Sequence, residues 1–333
     1  MTLPVSPPAS EVALATPSVA ILLPVFNGQR FVGRAIRSIL EQQRGDFELL
    51  IGDDASTDQS PQIIRQFKDA RVRYFQRSSN LGLFPNLNEL LRSVQAPLVR
   101  FLCQDDQLVP ECLESEVRLF HRYPDVGMSF CKTIIIDENE EVLTRCAVED
   151  MPEWLSCSLA TQLLFYFGCI PGNLSTVMVR RCCVQEVCGF DETFRVAGDY
   201  EMWSRLCGRW PMGVVHERLV RMRSHAGQLS RASSSAPLFI EEVRRIRSSL
   251  VPRLPDSIRR TAAAYRLLYH NILDTHYFLR CLGRLQIAKC VRVGRTLGSK
   301  DLLAGILLWC LTGRNRWYRP VPKFFYGNES SPA

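Results

Sequence analysis

The sequence predicts an α/β fold with a mostly parallel central sheet, followed by a helical segment in the C-terminal third. Short apolar runs alternate with amphipathic helical patterns over residues 19–136, which is typical of βαβ units. Two of these apolar runs end in paired carboxylates. With 46% apolar and 23% charged residues, the composition is that of a globular protein and excludes collagen, coiled-coil and wholly disordered chains.

The alternation starts with a strand at 19–24, whose continuous apolar run indicates burial on both faces of a parallel sheet. Asn27-Gly28 predicts a turn into the first helix. Further strands are predicted at 47–52, 72–75, 98–102 and 126–136, and helices at 31–40, 63–67, 84–94 and 111–120. Ligands bind such sheets at the carboxyl ends of the strands, so polar clusters that follow a strand are the first candidates for a site.

Beyond residue 137 the pattern becomes less regular. Helices are predicted at 161–167 and 200–206, and strands at 176–179 and 214–222. A Pro-, Ser- and Ala-rich start and a Ser-rich stretch divide the chain. The predicted organisation is a disordered tail at 1–17, a main domain at 18–230, a linker at 231–239 and a basic, mainly helical extension at 240–333.

The net charge of +7 is unevenly distributed. From Ile240 onwards there are 17 basic and 6 acidic residues, whereas the first 239 residues carry 24 basic and 28 acidic ones. The excess charge therefore belongs to the extension, which argues against a nucleic-acid-binding main domain. No apolar run reaches the roughly 18–20 residues of a transmembrane helix. The 13 cysteines include no C-x-x-C pair, so we expect reduced thiols in a cytoplasmic protein.

Paired carboxylates follow two of the predicted strands. Asp53-Asp54 comes directly after 47–52, and Gln104-Asp105-Asp106 after 98–102. Adjacent carboxylates at a strand end are costly unless they bind a ligand or remain solvated. They suit a hard divalent cation that also contacts phosphate oxygens. The alternative for the first cluster is an acidic turn that caps the next helix.

A third acidic position, Asp199, lies where a loop enters a helix. Two roles remain open for it from the residues alone. It is either a helix N-cap or a carboxylate presented to the cleft as a general base.

Five segments in this order and spacing resemble family 2 glycosyltransferases of GT-A fold: VAILLPVFN, LLIGDDASTD, NLGLFPNLN, FLCQDD and GFDETFRVAGDYEMWSRL. The resemblance covers residues 18–230. It implies a nucleotide-diphosphate sugar donor, a divalent metal (Mn²⁺ or Mg²⁺) and inverting transfer of a single sugar. The acceptor would be a hydroxyl of a saccharide or lipid-linked glycan, in cell-surface polysaccharide or lipopolysaccharide biosynthesis. The alternative is a non-catalytic nucleotide-sugar-binding protein that keeps the fold.

The resemblance also implies roles for individual residues. Pro24, Val25, Phe26 and Asn27 would line the nucleotide pocket, Asp53 and Asp54 would contact base or ribose, and Asn80 and Gly82 would shape the adjacent loop. Asp105 would lie at the diphosphate, Asp106 would be the direct metal ligand, and Asp199 would deprotonate the acceptor hydroxyl. His225 is either a metal ligand or a structural histidine, and Arg223 either pairs with a phosphate or is a solvated arginine. Cys103 and Gly198 stand where the family usually has acidic residues.

The extension contains an apolar segment at 302–311, followed by Arg314, Arg316, Trp317, Tyr318 and Arg319. An apolar helix flanked by aromatic and basic residues suits a peripheral contact with an anionic membrane, here the inner face of the cytoplasmic membrane. The alternative is a helix that packs on the main domain with its basic residues solvated.

Overall fold

The computed structural model describes residues 17–145, 151–225, 227–228, 236–265 and 270–312. The strands are β1 (Val19–Val25), β2 (Phe47–Asp53), β3 (Val72–Gln76), β4 (Leu98–Phe101), β5 (Gln107–Leu108), β6 (Met128–Ile136), β7 (Val142–Arg145), β8 (Trp154–Leu155), β9 (Val177–Arg180) and β10 (Met212–Arg223). The helices are α1 (Val32–Leu40), α2 (Ser60–Ile64), α3 (Leu83–Arg92), α4 (Cys112–Arg122), α5 (Cys157–Phe167), α6 (Arg181–Glu186), α7 (Gly198–Cys207), α8 (Ala236–Leu250), α9 (Asp256–Tyr265), α10 (Asn271–Gly283) and α11 (Ile287–Thr312).

One mixed sheet runs through the molecule in the order β3-β2-β1-β4-β9-β6-β10-β5, with β7 paired to β6 and β8 to β10. Its first four strands are parallel, and β9 is antiparallel to both of its neighbours. The parallel half therefore turns the carboxyl ends of β1, β2 and β4 toward one edge.

The side chains of β1 alternate between two hydrophobic cores, one on each face of the sheet. Ala20 and Leu22 point to a core shared with α3, α5 and α7. Ile21, Leu23 and Val25 point to the opposite core, shared with α1 and α4. The sequence of β1 is continuously apolar because both of its faces are covered.

Most predicted elements appear close to their expected positions. The second helix is the main displacement, since α2 occupies Ser60–Ile64 rather than 63–67. The short strands β5, β7 and β8 and the helix α6 were not predicted. Strands of two to four residues carry too few positions for a period to emerge. Except for Pro17, the predicted tail lies outside the described residues.

The helix α8 begins at Ala236, so the last four residues of the predicted linker 231–239 are helical. Val243, Ile246 and Leu250 of α8 join the same core as α5 and α7. The start of the predicted extension is therefore packed on the main domain. The predicted apolar segment 302–311 belongs to α11, which bends at Gly298, and the basic and aromatic residues at 314–319 lie outside the described part of the chain. No helix within the described ranges is both long and apolar enough to cross a membrane.

Candidate functional site

The loops that follow β1, β2 and β4 are joined into one rim. Gln104, after β4, accepts the Phe26 N–H at 2.9 Å through its Oε1 and donates its Nε2–H to the Phe26 carbonyl at 3.1 Å. Asn27 adopts a left-handed backbone conformation with φ 49°. Its Oδ1 accepts the Thr57 N–H at 2.8 Å, which ties the first loop to the second.

The four residues predicted to line a nucleotide pocket differ in their exposure. Phe26 is 45% exposed and Asn27 is also exposed. Pro24 and Val25 are buried within β1, and the Val25 carbonyl accepts the Asp54 N–H at 2.8 Å. The exposed side chains at the rim are therefore those of Phe26 and Asn27, and a pocket lined by Pro24 and Val25 stays a prediction.

Asp53 holds the end of β2 together. Its side chain is fully buried, Oδ1 accepts the Ser56 N–H at 2.9 Å, and Oδ2 accepts the Tyr74 hydroxyl at 2.7 Å. Burial, followed by the hydrogen bond to Asp53, raises the pKa of Tyr74, so this hydroxyl stays a donor. The side chain of Asp53 is buried and held by protein donors, and its contact with base or ribose stays a prediction.

Asp54 holds the loop that precedes α3. Its two carboxylate oxygens accept the N–H groups of Leu81 at 2.7 Å and of Gly82 at 2.8 Å, and its carbonyl accepts the Asn80 side chain at 3.2 Å. Gly82 has φ 94°, a conformation that side chains other than hydrogen rarely adopt. Asp54 is 3% exposed and holds the Asn80–Gly82 loop, while its contact with base or ribose stays a prediction.

Asp106 is buried in a ring of protein donors. Its Oδ1 accepts the Arg223 N–H at 2.8 Å, and its Oδ2 accepts the Ser175 hydroxyl at 2.6 Å and the Asn173 amide at 3.4 Å. Burial raises its pKa to about 6. Both oxygens already accept hydrogen bonds from the protein, and direct metal ligation by Asp106 stays a prediction.

Asp105 and His225 form the better pair of metal donors. His225 Nε2 is buried and lies 3.3 Å from Asp105 Oδ2 without a well-aligned hydrogen bond. Asp105 keeps 22% of its side chain exposed, and burial raises its pKa despite the opposing effect of His225. An imidazole nitrogen that lacks a hydrogen-bond partner among the described residues, beside a carboxylate, fits Mn²⁺ better than Mg²⁺, which prefers oxygen ligands. No cluster of three or more potential ligands occurs in the described ranges, so phosphate oxygens and water would complete the coordination.

Arg223 is an internal clamp. Its side chain is fully buried, Nε donates to the Asp105 carbonyl at 3.0 Å, and the other nitrogens donate to the Asp137 carbonyl at 2.8 Å and to Glu140 at 3.2 Å. The guanidinium also lies 4.6 Å from the centre of the Phe31 ring. The alternative of a solvated arginine is therefore wrong: Arg223 fixes the loop that carries Asp105, and its phosphate contact stays a prediction.

Asp199 presents a carboxylate at the start of α7. The one hydrogen bond that the described residues give this carboxylate comes from the Tyr200 N–H to Oδ1, at 2.7 Å. Burial raises the pKa of Asp199 to about 6. The preceding Gly198 packs against Phe84, whose nearest ring atom would lie 2.5 Å from an added Cβ. This contact explains why an acidic side chain cannot stand before Asp199 in this chain.

Cys103 follows β4, and its thiol is kept protonated by its surroundings. Burial raises the pKa of its thiol, and the negative charges of Asp106, Asp105 and Asp199 raise it further. The Cys103 N–H donates to Ser175 Oγ at 2.9 Å.

Two residues of the site were missed from the sequence. Ser175 binds Asp106 from the turn before β9, and Glu242 binds the backbone just ahead of α7 from the helix α8. Neither has a local signal, because each acts on a partner 45 or more residues away along the chain.

Comparison with known proteins identifies the family of the main domain. Residues 20–168 match the family model of glycosyl transferase family 2. An uncharacterised glycosyltransferase of Rickettsia prowazekii is 26% identical over 218 residues, which is 64% of this chain and 66% of that protein. WcaA of Escherichia coli K12, named as a colanic acid biosynthesis glycosyl transferase, is 28% identical over 192 residues, which is 57% of this chain and 66% of that protein.

Solved structures share the fold at low sequence identity. Staphylococcus aureus TarS 1–349 in complex with UDP-GlcNAc superimposes with a TM-score of 0.63 and 17% identity, over 76% of this chain and 72% of that one. The mannosyltransferase PcManGT of Pyrobaculum calidifontis, in complex with GDP-Man and Mn²⁺, superimposes with a TM-score of 0.55 and 14% identity. The match covers 88% of this chain and 87% of that one. The expected GT-A architecture with helices at its C-terminal end is confirmed.

Proposed function

This chain is a family 2 glycosyltransferase, and on that basis we propose that it transfers a single sugar from a nucleotide diphosphate to an acceptor hydroxyl with inversion. The observation that carries the proposal is the contact of Asp105 with the buried Nε2 of His225, together with the carboxylate of Asp199 at the start of α7. The first two residues are candidate metal donors, and the third is a candidate base. Single displacement requires both functions at the same carbon.

Asp199 would act as the general base. An acceptor hydroxyl is a weak nucleophile, and a positioned base contributes roughly 10²–10⁴-fold to such a transfer. A pKa of about 6 keeps Asp199 ionised at neutral pH while leaving it basic enough to accept a proton. No other donor among the described residues binds its second oxygen, which leaves that oxygen for the acceptor.

Asp105 and His225 would hold a divalent cation, with Asp106, Ser175 and Arg223 keeping Asp105 in place. A bound cation would offset the negative charge that develops on the departing nucleoside diphosphate. Phe26, exposed at the rim, would stack on the base, and Asn80 would border the nucleotide.

The donor class follows from the neighbours in structure. TarS was solved with UDP-GlcNAc and PcManGT with GDP-Man and Mn²⁺, so we take these two nucleotide sugars as the first donors to test. WcaA is named for colanic acid biosynthesis, which supports a saccharide or lipid-linked glycan acceptor in cell-surface polysaccharide or lipopolysaccharide biosynthesis.

Slow hydrolysis of the donor tests the proposal without a known acceptor. With Mn²⁺ present, we expect the wild type to hydrolyse UDP-GlcNAc or GDP-mannose and Asp199→Asn to be at least about 100-fold slower. Asp256→Asn is the matched control, because Asp256 has 90% of its side chain exposed. A wild type that binds a donor but never hydrolyses or transfers it would instead support the non-catalytic alternative.

The turn between α10 and α11 suits a peripheral contact with an anionic bilayer on the cytoplasmic side. Residues 276–300 contain six basic residues and no acidic one. Four aliphatic side chains are exposed around the turn: Leu282, Leu285, Ile287 and Val291. Exposed aliphatic groups among basic side chains match the interface of a membrane that carries negatively charged lipids.

Vesicle co-sedimentation tests this contact. The wild type is expected to bind vesicles containing phosphatidylglycerol and to stay in solution with pure phosphatidylcholine. Arg284→Glu should weaken binding several-fold, whereas Arg118→Glu, on the exposed side of α4, should not. Equal binding to both vesicle types, or equal effects of both variants, would contradict the contact.

A further inference from the structure

The carboxylate of Glu242 binds three consecutive backbone N–H groups next to the candidate base. Its Oε1 accepts the N–H of Arg195 at 2.7 Å, and its Oε2 accepts those of Val196 at 3.0 Å and Ala197 at 2.7 Å. Glu242 is 4% exposed. A buried carboxylate with three short backbone hydrogen bonds holds its partners firmly, because hydrogen bonds to a charged acceptor are stronger than those between neutral groups.

These three N–H groups lie directly before α7, the helix whose second residue is Asp199. The first N–H groups of a helix have no partner within the helix, and the side chain of Ala197, at the N-cap position, cannot provide one. Glu242 binds the N-cap N–H of Ala197 and the two N–H groups before it, and its carboxylate places a negative charge near the positive end of the α7 dipole. The direction in which Asp199 leaves the backbone thus depends on a residue 43 positions further along the chain.

The helix α8 is itself held in place. Val243, Ile246 and Leu250 are buried in the core that α7 also joins. Glu242 is therefore a rigid anchor between the first helix of the C-terminal segment and the loop at 195–197.

We propose that Glu242 is a positioning residue for the general base, so that the first helix after the predicted domain boundary completes the active site. The inference rests on the proposed role of Asp199. It goes beyond that role because it makes α8 necessary for turnover as well as for packing.

Electrostatics supports the same assignment. Besides burial, the negative charge of Glu242 raises the pKa of Asp199. Asp199 also acts on two described thiols, those of Cys103 and Cys169, which burial keeps neutral at ordinary pH. Tyr200 follows on α7, and burial keeps its hydroxyl protonated beside Arg247 of α8. Of these groups, Glu242 is the one that brings a full negative charge.

Three variants test the proposal in the full-length chain, with Mn²⁺-dependent hydrolysis of UDP-GlcNAc or GDP-mannose as the assay. Glu242→Gln is expected to lower kcat by about 10- to 100-fold, with donor KM within about twofold, and to move the acidic limb of the pH–rate profile to lower pH. Glu242→Asp keeps the charge and should leave the acidic limb near that of the wild type. Glu241→Gln is the matched control, because Glu241 neighbours Glu242 on α8 and is half exposed.

The outcomes separate this inference from the proposed function. If Asp199→Asn is inactive while Glu242→Gln matches Glu241→Gln in kcat and pH profile, the role of Glu242 is overturned and that of Asp199 stands. The same holds if Glu242→Gln lowers only the melting temperature, which indicates a purely structural role. If the wild type hydrolyses neither donor, or Asp199→Asn remains fully active, the base assignment fails and the positioning role fails with it.

Discussion

Replacing Gly198 by alanine should both destabilise the protein and slow turnover. A Cβ at this position would lie 2.5, 2.6 and 2.8 Å from three atoms of the Phe84 ring. Carbon atoms pack best at about 3.5–4.0 Å, so the ring or the start of α7 must move by about 1 Å. Phe84 is 2% exposed and stacked on Phe190 at 5.4 Å, so it has little room to yield.

Overpacking of this kind costs about 1–3 kcal/mol of unfolding free energy, and we expect Gly198→Ala to fall in that range in urea titration. Hydrolysis of the donor should fall as well, because Asp199 is the next residue. Gly283→Ala is the matched control, since nothing lies within 4 Å of a Cβ there. The double variant Gly198→Ala/Phe84→Leu should recover part of the lost turnover. Wild-type stability and turnover in Gly198→Ala would refute the reasoning.

Three further predictions follow from the described contacts. If Asp199 is the proposed base, with its pKa raised to about 6, kcat/KM should fall as the pH drops through 6, to about a tenth at pH 5. A value of kcat/KM that stays constant down to about pH 5 would count against this role. Arg223→Met leaves the carbonyls of Asp105 and Asp137 without the Arg223 donor. It should lower the free energy of unfolding, measured by urea titration, by about 1–3 kcal/mol. An unchanged urea midpoint would show that the hydrogen bonds of Arg223 are dispensable for stability. Asp54→Asn removes the charge that holds the Asn80–Gly82 loop. In steady-state kinetics it should raise the donor KM several-fold more than it lowers kcat. A larger effect on kcat than on the donor KM would be evidence against placing this loop at the donor.

The parallel half of the fold could be predicted because its signals are local. The continuous apolar run of β1 and the amphipathic pattern of α1 each lie within one element. The carboxylate clusters could be placed at one edge of the sheet because parallel strands end together. The two-residue strands β5 and β8 were not predicted, because they form by pairing with β10 and are too short to show a periodic pattern in the sequence.

The sequence could not predict which carboxylates are bound by other parts of the protein and which remain available to a ligand. Asp53 and Asp106 have the same residue type and strand-end position as a ligand-binding carboxylate, but partners far along the chain bury them. Arg223 and Glu242 likewise depend on contacts with the 137–140 turn and the 195–197 loop. Charge and spacing identify a candidate polar group, whereas only the packed structure shows whether it faces protein or ligand.

The anomeric form of the released sugar tests the central claim most directly. The sugar of UDP-GlcNAc and of GDP-mannose is α-linked, so hydrolysis by single displacement, with Asp199 activating water, must first release the β anomer. Proton NMR follows the two anomers before they interconvert. We predict the β anomer first for the wild type and no enzymatic release for Asp199→Asn. Initial release of the α anomer, or unchanged release by Asp199→Asn, would contradict the account.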